Sequence, residues 1–117
     1  MVSPINSAAS AVNAFSSKMS VTANNVANVN TDGFKKSRVT LNEGHSGGVE
    51  ASISQVDTPG FTKQITDNGR LKEVESSNVD LGEEMTESIS TQTGHNANLK
   101  TIKAHDEMLG TLLDTIG

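Results

Sequence analysis

The sequence predicts a mainly α fold: an antiparallel pair of long N- and C-terminal amphipathic helices, coiled-coil-like, carrying a short β-hairpin insert. Three observations predict it. Apolar residues recur in alternating steps of three and four at both ends of the chain. Each of these zones begins at a helix-capping residue. Between them, period-two alternation and turn residues replace the helical period. One domain over 1–117 holds all three zones: a helix at 5–29, a β-rich insert at 44–77 and a helix at 80–116.

In the first zone Ile5, Ala8, Val12, Phe15, Met19, Val26 and Val29 follow an a/d heptad pattern, with Thr22 at the one missing position. Ser3 before Pro4 supplies a hydroxyl cap and a proline at the first helical position. The cluster Asn28 to Gly33 stops the helix. Its remaining positions are rich in Ser, Thr and Asn, whose side chains compete for backbone hydrogen bonds and make poor helix formers. The pattern therefore specifies a face to bury, and the propensity requires something to bury it against.

In the middle zone Gly44-His45-Ser46-Gly47-Gly48 reads as a flexible loop, and Val49, Ala51 and Ile53 alternate with polar residues as a half-exposed strand does. Thr58-Pro59-Gly60 reads as a turn. Asp67-Asn68-Gly69, between Thr62–Thr66 and Arg70–Glu75, is a hairpin signal because Asn-Gly accepts the positive φ of a type I′ turn.

The last zone opens on Asp80 with Glu83 three positions on, a capping-box-like start. Leu81, Met85, Ile89, Leu99, Ile102, Leu109, Leu113 and Ile116 then step near 3.5, with gaps at Gln92, at His95 or Asn96, and at Asp106. Such a helix spans about 54 Å, against about 36 Å for the first. Gly94 costs it roughly 1 kcal/mol relative to alanine and marks a weak point or bend. Each seam is too long and too polar to be satisfied by the other alone, which favours a bundle made between chains.

Composition narrows the function. With 117 residues, 33% hydrophobic content and three phenylalanines as the only aromatics, the chain has thin core material. A net charge of −5 argues against nucleic acid as the default partner. No cysteine is available for disulfides or thiol chemistry. Met1 to Asn6 has neither a basic nor an apolar signal region, and no run reaches the length of a membrane span.

Two stretches carry a family resemblance. Val21-Thr22-Ala23-Asn24-Asn25-Val26-Ala27-Asn28-Val29-Asn30-Thr31-Asp32-Gly33-Phe34-Lys35 resembles the N-terminal signature of flagellar rod, hook and hook-associated axial proteins. Ser77-Asn78-Val79-Asp80-Leu81-Gly82-Glu83-Glu84-Met85, with Ala97-Asn98-x-Lys100-x-Ile102-Lys103 and Asp106 to Asp114, resembles the C-terminal signature. The resemblance implies a short, proximal-rod-like subunit of the basal body, exported by the flagellar apparatus without a cleaved signal and cytoplasmic before export. It implies helices packed with those of other axial subunits and of further copies in a tubular inner layer. Gln92-Thr93-Gly94-His95-Asn96-Ala97-Asn98 departs from the family pattern by lacking its arginine, aromatic and glutamate. An accessory protein of flagellar assembly that stays outside the rod is the competing reading.

No constellation carries a reaction, and no enzyme or cofactor is expected. His45, His95 and His105 lack the i, i+4 spacing of a metal pair, and the Gly44–Gly48 loop matches no phosphate-binding fingerprint. The expected functional residues are those of assembly. On the first helix these are Ile5, Val12, Phe15, Met19 and Val26. On the second they are Met85, Ile89, Leu99, Ile102, Leu109 and Leu113, with Asp106 either setting the register of the seam or facing solvent. The motif residues Asn24, Asn25, Asn28, Asn30, Gly33, Phe34, Asn78 and Asp80 belong with them: asparagine suits a helix end because it donates and accepts at once, and Gly33 suits a positive φ. Lys35, Lys36 and Arg38 oppose the acidic run Glu73 to Glu87 either as a solvated face or, more sharply, across a subunit boundary.

Overall fold

A computed structural model describes residues 3–117; Met1 and Val2, the start of the segment read above as lacking a signal, lie outside the described residues. Helix α1 (Pro4–Ala27) is followed by strands β1 (Ser37–Glu43), β2 (Val49–Gln55), β3 (Thr62–Asp67) and β4 (Arg70–Glu75), then by helix α2 (Leu81–Ile116). Both helix starts form as their caps dictate. Ser3 Oγ accepts from the Asn6 N–H at 3.3 Å with proline in the first turn, and Asp80 Oδ1 accepts from the Glu83 N–H at 3.2 Å.

The expected fold, a mainly helical antiparallel pair with one short hairpin insert, is corrected. Of the described residues 52% are helical and 23% lie in strands, which form two separate antiparallel hairpins. The insert begins at Ser37, not at residue 44, because Val39 and Leu41 already alternate with polar neighbours. Val39 is buried and β1 pairs with β2 from Ser37↔Gln55 to Glu43↔Val49. Gly44–Gly48 is therefore the turn of this hairpin, closed by a Gly44 N–H to Gly48 carbonyl bond of 3.0 Å.

The β1–β2 hairpin lies along α1. The Asn25 side chain grips Ser37 at its base, and the Val49 N–H donates to Ser10 Oγ at 3.0 Å near its tip. The β3–β4 hairpin turns at Asn68 (φ 50°) and Gly69 (φ 76°), the two positive angles of the expected type I′ turn. It packs against neither helix. Every residue of β3 is exposed.

The helices run antiparallel and in contact, and α2 continues through Gly94 as unbroken helix. Phe15 occupies the space a Cβ would take there: its Cζ lies 2.6 Å from that position. Glycine at 94 is thus a close-packing device. Among the described residues the buried apolar set is small, namely Ala8, Ala11, Ala14 and Val39.

Candidate assembly interface

Heptad spacing defines a stripe, and the structure shows which stripe the chain uses on itself. On α1 the buried residues are Ala8, Ala11, Ala14, Thr22 and Asn25. With Phe15 and Lys18, which are partly buried, they trace a stripe that shares Ala8, Phe15 and Thr22 with the expected seam and is otherwise shifted to one side of it. On α2 the buried residues are Glu84 and Thr91, on a stripe continued by half-buried Glu87, Gly94 and Asn98. Apart from Phe15, both stripes are small or polar. Their contacts include Lys18 Nζ to Glu87 Oε2 at 2.8 Å, Ser16 Oγ to His95 Nε2 at 3.3 Å, and Asn25 Nδ2 to Glu84 Oε2 at 3.2 Å.

The larger apolar residues consequently face outward. Met19, Met85, Ile89 and Leu99 are exposed, Ile89 by 68%. Ile5, Val12, Val26 and Ile102 are only half-buried. Beyond the start of α1, Asp106, Leu109 and Leu113 are exposed on an unpaired end of α2. Asp106 therefore faces solvent and occupies no position in the seam between the two helices.

At the opposite end the motif asparagines act on backbone. Asn25, 1% exposed, donates to the Ser37 carbonyl at 2.8 Å and accepts the Ser37 N–H at 3.0 Å, as a neighbouring strand would. Asn78 accepts the Lys36 N–H at 2.7 Å and donates to the carbonyls of Val56 at 2.8 Å and Thr58 at 2.9 Å. Asn28 caps α1, its Nδ2 donating to the Asn24 carbonyl at 2.9 Å while its Oδ1 accepts from Thr31 at 3.0 Å. Asn30 is exposed. Gly33 takes φ 73°, and its N–H donates to the Glu75 carbonyl at 2.9 Å. Phe34 is half-buried and its carbonyl accepts the Asn78 N–H at 3.3 Å.

Two members of the basic cluster find their acidic partners within the chain. Lys35 pairs with Glu75, and Lys36 Nζ lies 3.0 Å from Glu83 Oε2. The Lys35 ammonium, then the Gly60 N–H at 2.9 Å, hold the Glu75 carboxyl below its ordinary value. Lys35 thus ties the segment before β1 to the base of the β3–β4 hairpin and Lys36 ties it to α2, while Arg38 is exposed with no ion pair among the described residues. The crevice where α1, β1 and α2 meet holds about 100 Å³, room for a few waters and well short of a cofactor site.

Sequence comparison meets this geometry at both ends. Residues 5–35 match the flagella basal body rod protein family, and residues 70–115 match the flagellar basal body rod FlgEFG protein C-terminal family. The chain belongs to the flagellar basal-body rod and hook family. Asn25 lies in the first matched segment and Asn78 in the second, and the two clamp the Lys36–Ser37 backbone between them, so the fold brings the family segments together. No curated protein matches the chain. Among the described residues no helix is long and apolar enough to cross a membrane.

Proposed function

We propose that this rod-family chain is a structural, non-catalytic subunit of the basal body that assembles with further copies and with other axial subunits through its terminal helices. One observation carries the reading. The helix pair spends its small and polar stripes on internal contact and leaves Met19, Met85, Ile89 and Leu99 exposed, an arrangement that suits burial between chains. With four small buried apolar residues among those described, the isolated chain has little to hold it. Export through the flagellar apparatus belongs to the same reading.

The test is fractionation. A rod subunit co-purifies with basal bodies and leaves the cell by the flagellar exporter. Strict retention in the cytoplasm refutes incorporation and supports the accessory reading. In dilute solution the same interface predicts helicity that rises with protein concentration, and a fully helical, cooperatively melting monomer contradicts it.

A further inference from the structure

The molecule measures 81 × 25 × 18 Å. Helix α2 supplies about 54 Å of the long axis. The remainder lies beyond its N-terminal end and matches the β3–β4 hairpin, whose six-residue strands are about 20 Å long. At the other end, the antiparallel pairing of Asn25 with Glu84 and Lys18 with Glu87 brings Pro4 level with about residue 105 of α2. Residues 106–116 therefore project about 16 Å past α1. Hairpin and overhang are the two ends of one elongated body.

Their chemistry is complementary. The overhang carries Met108, Leu109, Leu112, Leu113 and Ile116 on one stripe, between 48% and 77% exposed. Asp106 borders this stripe, Asp114 lies on the far side of the same end, Glu107 is paired with Lys103 at 3.8 Å, and the last turn has no basic residue to offset the negative end of the helix dipole. On the hairpin, paired residues share a face, so Ile65 with Lys72 and Asp67 with Arg70 lie together, beside Lys63 with Val74. Lys63 is engaged with Asp32 at 2.7 Å. Among the described residues Arg70 and Lys72 have no ion-pair partner. This face is cationic around exposed Ile65, and a two-stranded hairpin gains stability when such a face is covered.

We propose that the acidic, apolar overhang of α2 docks on the Ile65–Arg70–Lys72 face of the β3–β4 hairpin of a second copy, joining chains end to end. The inference rests on the self-assembly reading and adds its polarity. The contact is heterologous, so it propagates as an open series of chains and does not close on a dimer. One helix end on one hairpin face covers less than the roughly 800 Å² per partner of a standard interface, so the contact is weak alone and salt-sensitive.

Sedimentation velocity across a concentration series tests it with two charge variants of the full chain. R70Q/K72E removes the cationic face, and D106K/D114K reverses the overhang. Each alone is expected to weaken self-association about tenfold, and an equimolar mixture to recover wild-type association, because the reversed overhang then meets the acidic hairpin. A lysine at 114 favours the C-terminal turn of α2, so lost association in D106K/D114K cannot be charged to an unfolded helix, and circular dichroism checks this directly. Both variants associating as wild type does, or a mixture that fails to recover, overturns the proposal. If V12E/M19E weakens association while the charge variants do not, the end-to-end contact falls and assembly through the helix faces stands. A wild-type chain that stays monomeric at every concentration takes both down.

Discussion

Replacing Asn25 by alanine is the most informative single perturbation of this fold. Asn25 sits at 1% exposure and serves three groups: the Ser37 carbonyl at 2.8 Å, the Ser37 N–H at 3.0 Å and Glu84 Oε2 at 3.2 Å. Glu84 is itself buried, at 5% exposure. The substitution deprives all three of that partner beside a crevice of about 100 Å³, where entering water offsets only part of the loss. Each stranded polar group costs about 1–3 kcal/mol, so even at the low end the sum is about 3 kcal/mol. For a chain of this size that corresponds to a fall of roughly 12 °C in Tm. The assay is thermal and urea unfolding followed by circular dichroism at a fixed, dilute concentration. Asn25→Asp, nearly identical in volume, is expected to be no milder, because it aims a second carboxylate at Glu84 and an acceptor at the Ser37 carbonyl. In a double-mutant cycle Asn25→Ala and Glu84→Ala must be non-additive, since they share one bond. A Tm change within 2–3 °C of wild type, or an innocuous aspartate, would show that position 25 matters for volume alone.

Three further expectations follow from the same contacts. Thr91 is 1% exposed and its hydroxyl has no hydrogen-bond partner, so Thr91→Val should raise stability by about 1 kcal/mol, read as a higher urea midpoint. Gly94→Ala sets a helix-propensity gain of about 1 kcal/mol against a Cβ 2.6 Å from the Phe15 ring. Overpacking of about 1–3 kcal/mol wins, and pairing the change with Phe15→Leu should recover stability. For Glu75 the sign follows from its lowered pKa. The unfolded chain protonates first, so the stability due to this carboxylate is complete above its ordinary value of 4.5 and is lost as pH falls below it. Glu75→Gln should lower stability at neutral pH and leave it nearly unchanged well below the ordinary value of 4.5, so that the acid limb of the stability–pH curve flattens.

Both helix starts, the Asn68-Gly69 hairpin and the positive φ of Gly33 were legible in the sequence because each depends on local chemistry: a cap, a turn type, a missing Cβ. The phase of the helix seam was not. Apolar periodicity identifies the face with most to gain from burial, and here much of that face stays exposed. The internal seam keeps Ala8, Phe15 and Thr22 of the expected one and completes it with Ala11, Lys18 and Asn25 in place of Val12, Met19 and Val26, meeting Glu84, Glu87, Thr91, Gly94 and Asn98 on α2. A hydrophobicity pattern passes over it because its energy comes from close approach and satisfied hydrogen bonds. The same blindness hid β1, where Val39 and Leu41 are too few to stand out, and the ion pairs of Lys35 and Lys36, whose partners are 40 and 47 residues away.

The clamp also orders the events of folding. Asn25 reaches Ser37 across only 12 residues, so α1 and the β1–β2 hairpin can organise as soon as the first half of the chain is free. Asn78 then fastens the same Lys36–Ser37 segment from the other side, across 42 residues, and brings Asp80 and the start of α2 into place. Pairing of α2 with α1 comes last, because it needs contacts across 59 to 79 residues and rewards them with few apolar side chains. A chain built this way commits to its helical pair late and holds it weakly. Any neighbour that covers Met19, Ile89 or Leu99 adds burial that the monomer lacks, and so draws folding and assembly into a single step.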